Sequence, residues 1–183
     1  LQSLPPANRP DLPSGLGFPY NVRSSLLAWR ALYFKPGVFK PDSAKSAEWN
    51  RGAYLVQGLG HCNECHTTRD SLGGIRQDQH LTGGQIPALA WYAPDLSTQT
   101  GGGLAGWRAQ DIIDLLKTGQ SAKGTAFGPM ADVVRLSTQH LTDADLQAVA
   151  TYLQSLPPRA PTPSSTPFIR VARAGPGDKL YAR

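Results

Sequence analysis

The sequence predicts an all-α domain with long loops between its helices. Three observations carry that expectation. Four segments repeat apolar residues at helical spacing, nearly all of the 19 glycines and 16 prolines fall outside those segments, and no βαβ pattern is present. So much loop for a chain of 183 residues needs something beyond a plain apolar core to order it.

The elements follow in chain order. Residues 21–34 read as a short helix with Leu26, Leu27, Trp29, Ala31, Leu32, Tyr33 and Phe34 around much of its circumference. The plainer reading is packing against its own or a neighbouring domain; the sharper one is a docking surface for a protein or membrane, with Arg23, Arg30 and Lys35 at its rim. Residues 42–57 place Trp49, Gly52, Ala53 and Val56 on one stripe, with Gly58 available to end the helix. Residues 109–117 carry Ile112, Ile113, Leu115 and Leu116 ahead of Gly119, a C-terminal stop. The clearest helix is 141–156. Thr142 and Asp145 have capping-box spacing, Leu141 and Leu146 form a hydrophobic staple, and Pro157-Pro158 forbids continuation. Residues 159–183, rich in Pro, Ser and Arg, read as a linker.

Charge and hydropathy exclude some functions. Eighteen Lys and Arg against thirteen Asp and Glu give +5, but the basic residues never cluster in a long run, so nucleic acid is not an expected partner. The longest apolar stretch, residues 88–93, falls far short of the roughly 18 needed to cross a bilayer, so no transmembrane segment is expected. Residues 1–10 lack the basic start and apolar middle of an export signal, which would have been removed or lie upstream.

The two cysteines, Cys62 and Cys65, are followed at once by His66. Cys-x-x-Cys-His is the attachment signature of c-type haem. Two thiols three residues apart on a helical turn can each add to a haem vinyl group, while the adjacent imidazole reaches the iron. A structural zinc site needs more Cys or suitably spaced His, a thioredoxin-like pair needs a βαβ unit, and a plain disulfide leaves His66 unexplained. A second axial ligand is then wanted, and thioether sulfur stabilises ferrous iron. The single methionine, Met130, follows Gly128-Pro129, a pair that predicts a loop rather than a helix face. His61, His80 and His140 compete for the role; His61 and His80 read more simply as solvated histidines.

At this point an ordered series of motifs stands out: Arg51-Gly-Ala-Tyr-Leu-Val56, Gly60-His-Cys62-Asn-Glu-Cys-His66-Thr67, Trp91-Tyr-Ala-Pro-Asp-Leu96, Gly106-Trp107, Gly128-Pro-Met130 and Leu141-Thr-Asp-Ala-Asp-Leu146 through Leu153. The series resembles the class I cytochrome c fold. Within it, the nearest resemblance is to haem domains of the multihaem cytochrome c subunits of membrane-bound periplasmic dehydrogenases for alcohols, aldehydes and sugar acids. The resemblance implies a haem domain over 41–158, an inter-haem linker over 1–40, and one haem c bound through Cys62 and Cys65 with His66 and Met130 on the iron. It also implies that the Pro94 carbonyl orients His66, that the Trp107 indole reaches a haem propionate, and that Gly52 lets the first helix approach Tyr152 on the last. Arg108 stands where such domains usually carry a Ser, Thr or Asp cap. Arg76 and Arg108 are candidate propionate partners, although solvated surface charge is the plainer reading.

Leu1-Gln-Ser-Leu-Pro-Pro6 recurs letter for letter as Leu153-Gln-Ser-Leu-Pro-Pro158. A repeated segment implies a repeated unit, so the first copy reads as the tail of an equivalent domain, and Gly177-Asp-Lys-Leu-Tyr181 as the start of another. The expected function is one-electron transfer from a dehydrogenase catalytic subunit toward a quinone, cytochrome or oxidase in the bacterial periplasm, with other haem domains of a longer chain as neighbours. No acid, base or nucleophile is needed, so the chain is not expected to be an enzyme by itself. The alternatives are a haem enzyme, such as a peroxidase or thiosulfate-oxidising cytochrome, and a gas sensor. Both need an open iron, and Met130 argues against them.

Overall fold

The computed structural model describes residues 21–86, 89–98 and 103–158, with scattered positions before residue 21. The expectations for 159–183, and for most of the first LQSLPP copy, lie outside the described residues. The described residues form six α-helices: α1 (Ser25–Tyr33), α2 (Ala47–Tyr54), α3 (Asn63–His66), α4 (Ala109–Thr118), α5 (Pro129–Leu136) and α6 (Asp143–Gln154).

Helix α2 starts later than its apolar stripe suggests because residues 42–46 are taken by a polar turn. The Asn50 side chain accepts from the Asp42 N–H at 2.7 Å and donates to the Asp42 and Ser46 carbonyls at 2.9 and 3.0 Å, while the Ser46 hydroxyl caps Trp49 N–H. Beyond Tyr54 the helix widens into a π-turn over Leu55–Leu59, closed by Gly60 N–H on the Leu55 carbonyl at 2.7 Å. Such turns admit an extra residue per loop, and here the turn delivers the chain into the Cys62 motif.

Helix α4 is capped without the expected Ser, Thr or Asp at its start. Asp111, in the third position, reaches back instead: its carboxylate accepts from the Arg108 backbone N–H at 2.9 Å and from the Arg108 guanidinium at 2.9 and 3.1 Å. This is the returning half of a capping box, and the negative charge also suits the helix N-terminus. Those bonds hold the Asp111 pKa down to about 2. Helix α6 opens as its sequence indicates, with the Thr142 hydroxyl accepting from Asp145 N–H at 3.1 Å.

The all-α expectation requires correction, because two small antiparallel pairs join the helices. Strand β1 (Thr82–Ile86) pairs with β2 (Trp91–Asp95), Gly84 opposite Ala93 and Ile86 opposite Trp91, and β3 (Gln120–Ser121) pairs with β4 (Gly124–Thr125). TGGQI holds two glycines and WYAPD a proline, residues that weaken a strand on their own. Their surroundings impose the pairing. Thr67, just after the Cys motif, bridges Gly83 on the far side of β1, and a Cβ on Gly84 would stand 2.5 Å from the Thr67 carbonyl oxygen. Leu96 N–H then closes on the Leu81 carbonyl at 2.8 Å.

The core lies where α2 crosses α6, with α4 packed on the same helix. Ala53, Val56, Leu146 and Ala150 are at most 1% exposed. Burying a side chain the size of Val or Leu contributes roughly 1.5–3 kcal/mol, so these few contacts dominate the surface ion pairs, of which Arg51–Asp145 at 2.7 Å bridges the same two helices. Trp49 ties the far ends together by donating its indole N–H to Ser155 Oγ at 2.6 Å.

Helix α1 stands apart from this core and buries no residue fully. Two aromatic side chains dock it on the turn after the Cys motif: Trp29 Nε1 donates to the Leu72 carbonyl at 3.0 Å, and Tyr33 hydroxyl donates to Asp70 at 2.8 Å. The Tyr33 ring lies over Gly74, where a Cβ would meet it at 2.0 Å. Leu26, Leu27 and Leu32 face outward, each 60% exposed or more.

Candidate functional site

Cys62, Cys65 and His66 occupy one helical turn. Cys62 is the residue before α3, its N–H bonded to the Val56 carbonyl at 3.0 Å at the end of the π-turn, and His66 N–H closes on the Cys62 carbonyl at 2.9 Å. His61 takes the left-handed conformation, φ 33°, to turn the chain from one element into the next. Both cysteines are free thiols and half-buried. Burial pushes the Cys62 thiol up to about 11, keeping it protonated at neutral pH.

His66 Nδ1 lies 2.7 Å from the Pro94 carbonyl oxygen, so this nitrogen carries the proton and donates. Nε2 has no hydrogen-bond partner among the described residues. Burial pulls the His66 pKa below its ordinary value, with the Pro94 bond opposing, and so favours the neutral imidazole. A neutral ring with one nitrogen tethered and the other bare is the form in which histidine binds a metal. Pro94 belongs to β2, so the two-stranded pair that the sequence hid is what brings a carbonyl to His66 from 28 positions away.

Met130 is half-buried, and its local structure differs from expectation: it is the second residue of α5, not part of a loop. Pro129 sits at the first helical position, where its fixed φ suits the helix and its missing N–H costs nothing. Gly128 precedes it with φ 55° and ψ −139°, a conformation reserved in practice for glycine. A Cβ there would meet the Trp91 ring at 2.6–2.8 Å, so Trp91 lies flat against Gly128.

Trp107 packs half-buried against the core, and its carbonyl accepts from the Gln154 side chain at 3.0 Å. The Trp29 and Trp49 indoles spend their N–H groups on Leu72 and Ser155, whereas that of Trp107 has no partner among the described residues. Both arginines singled out above are engaged by carboxylates, Arg76 by Asp78 at 2.8 Å and Arg108 by Asp111.

His61 and His140 are exposed, but His80 is not the solvated residue its polar loop suggested. Its Nε2 lies 3.2 Å from the Tyr152 hydroxyl, which also accepts from Gln57 at 2.7 Å, and burial lowers the His80 pKa. Loop composition says nothing about which helix a loop lies on, so this contact has no signal in the sequence. The same holds for Trp91. Asn63, between the two cysteines, keeps a buried amide oxygen with no partner among the described residues. An orphaned buried acceptor of this kind costs about 1–3 kcal/mol unless water meets it.

The cytochrome c family model matches residues 50–157. The chain is 39% identical over 163 residues to the fructose dehydrogenase cytochrome subunit of Gluconobacter japonicus, covering 87% of this chain and 33% of that one. It is 38% identical over 172 residues to the cytochrome c subunit of the quinone alcohol dehydrogenase of Gluconacetobacter polyoxogenes, covering 88% and 36%. A diheme cytochrome c-type protein of Cereibacter sphaeroides is 40% identical over 159 residues, covering 86% and 51%. The chain thus spans about a third of the length of the first two and half of the third.

Proposed function

We propose that this chain, which belongs to the cytochrome c family, holds one haem c through thioethers to Cys62 and Cys65, with His66 and Met130 as the axial ligands. Electron transfer is the activity, and the relatives are cytochrome subunits of dehydrogenases rather than catalytic ones. A covalently held haem supplies a one-electron ferric–ferrous couple. The observation that carries the reading is His66, with Nδ1 held by the Pro94 carbonyl at 2.7 Å and Nε2 bare, one residue from a thiol.

The residues divide the work. Two thioethers prevent loss of the group and leave no coordination position to them; the Pro94 carbonyl fixes the imidazole plane and raises its basicity. Met130 would supply a neutral, weakly donating sulfur, a ligand that favours the reduced state and keeps small ligands off the iron. The free indole N–H of Trp107 is a donor suited to a propionate.

The partners are proposals of the same kind. The donor is a dehydrogenase catalytic subunit, the acceptor a quinone, cytochrome or oxidase, and the setting the bacterial periplasm. A chain that spans a third to a half of the length of these relatives, with LQSLPP repeated at a domain's spacing, fits one of several haem domains in a longer protein. The outward leucines of α1 then face a neighbouring haem domain or the dehydrogenase. No helix among the described residues is long and apolar enough to cross a membrane.

The test is production with a haem c maturation system, followed by intact mass and the oxidised spectrum of wild type and Met130→Ala. One haem mass that survives acid-acetone, and a near-infrared sulfur-to-iron band present only in the wild type, are expected. A band that persists in Met130→Ala overturns the ligand assignment.

A further inference from the structure

Strand β2 touches both halves of the candidate site. Pro94 supplies the carbonyl 2.7 Å from His66 Nδ1, and Trp91, three residues earlier on the same strand, lies against Gly128, two residues before Met130. Three extended residues span roughly 10 Å, and a paired strand holds that span far more rigidly than a free loop does.

Trp91 is built in from several directions. It stands opposite Ile86 in the β1–β2 pair, and Ala90 before it adopts φ 53°, a left-handed conformation that a non-glycine residue keeps only where its neighbours impose it. The ring covers Gly128 closely enough that a Cβ would approach three of its atoms within 2.8 Å, and Phe127 packs beside it at 5.7 Å between centroids. Nevertheless Trp91 is 39% exposed and its indole makes no hydrogen bond among the described residues, so neither the core nor a polar contact explains the residue. Its indole closely engages the segment that launches α5 and Met130.

We propose that Trp91 is a positioning residue for Met130: its indole seats Gly128 and so lets strand β2, which also orients His66, set the geometry of both axial ligands. This rests on the reading of His66 and Met130 as ligands. Gly128 is then required for two reasons, its positive φ and the absence of a side chain beneath the ring. With the indole removed, the Gly128-Pro129 entry to α5 loses its platform and the Met130 sulfur spends more time away from the iron.

The test compares Trp91→Phe, Trp91→Leu and Trp91→Ala with wild type and Met130→Ala, all as haem-loaded protein. The readouts are the near-infrared sulfur-to-iron band at matched haem content, the rate of carbon monoxide binding to the reduced form, and the midpoint of denaturant unfolding. Binding through a detached-sulfur population scales with that population, so Trp91→Ala and Trp91→Leu should bind carbon monoxide about tenfold faster with a weakened band, and Trp91→Phe should stay within about twofold of wild type. An equal loss of unfolding stability in Trp91→Phe and Trp91→Leu with only the latter altered at the iron separates positioning from a general structural effect. Wild-type band and rate in Trp91→Ala and Trp91→Leu, alongside loss of the band in Met130→Ala, overturn the role of Trp91 alone. Retention of the band in Met130→Ala removes the ligand assignment and this proposal with it.

Discussion

Gly52 and Ala148 meet backbone to backbone at the crossing of α2 and α6. A Cβ on Gly52 would stand 2.0 Å from the Ala148 carbonyl oxygen and 2.8 Å from Tyr152 Cβ. No side chain can rotate to relieve a clash with a carbonyl, so the two helices approach only because residue 52 is glycine.

Gly52→Ala therefore separates two opposing effects. Helix propensity favours alanine by about 1 kcal/mol, while forcing a methyl into a closed backbone contact costs about 3 kcal/mol. The crossing wins, and urea unfolding should show a net loss of about 2 kcal/mol or more. A neutral or stabilised variant would mean that α2 and α6 sit farther apart.

Tyr152 joins the same interface to the β1 side of the molecule through His80 and Gln57. Tyr152→Phe keeps the ring and removes the hydroxyl, leaving the half-buried His80 unmatched while the exposed Gln57 amide turns to water. The expected cost is about 1–2 kcal/mol in thermal or denaturant unfolding. His80→Ala combined with it should cost less than the sum of the two single changes, as a double-mutant cycle would report.

Asp111 makes stability depend on acid pH in a defined window. Its carboxyl is held down to about 2, against 3.8 when free, first by the Arg108 guanidinium and then by the Arg108 backbone N–H. A depressed carboxylate stabilises the fold above its unfolded value and loses that contribution as pH falls toward its folded value. Wild type should exceed Asp111→Asn in denaturant midpoint at pH 5 to 7, with the difference shrinking between about pH 4 and 2. A difference that stays constant across that range would show that folding does not depress the Asp111 carboxyl.

Met130→Ala should leave covalent attachment intact, because the thioethers do not depend on the sixth ligand. The midpoint potential should fall, and peroxide turnover with a chromogenic donor should rise above a negligible wild-type level as the iron opens. Stopped-flow reduction by small mediators should stay fast in both. Equal peroxidase activity in the two proteins would favour the haem-enzyme alternative.

Loaded protein should contain no thiol that reacts under denaturing conditions and no disulfide, since the proposed attachment uses both Cys62 and Cys65. Cys62→Ala should retain haem through Cys65 alone, with one reactive thiol fewer available before loading. Thiol titration with intact mass on the same sample decides this.

What the sequence determined by itself was whatever short-range chemistry can carry: Cys62, Cys65 and His66 on one turn, the Thr142 start and Pro157 stop around α6, the glycine in α4's exit, and through the motif series the family. Local spacing sets such features, and no distant partner can change them. The tertiary structure alone decided the rest. Gly-rich TGGQI and Pro-bearing WYAPD became strands because Thr67 and Leu81 offered them backbone partners. Met130 joined a helix because Gly128 could turn beneath Trp91. His80 lost its solvent to Tyr152, 72 positions away. In each case the deciding energy is a hydrogen bond or a contact made across long sequence separation, and only folding supplies that partner.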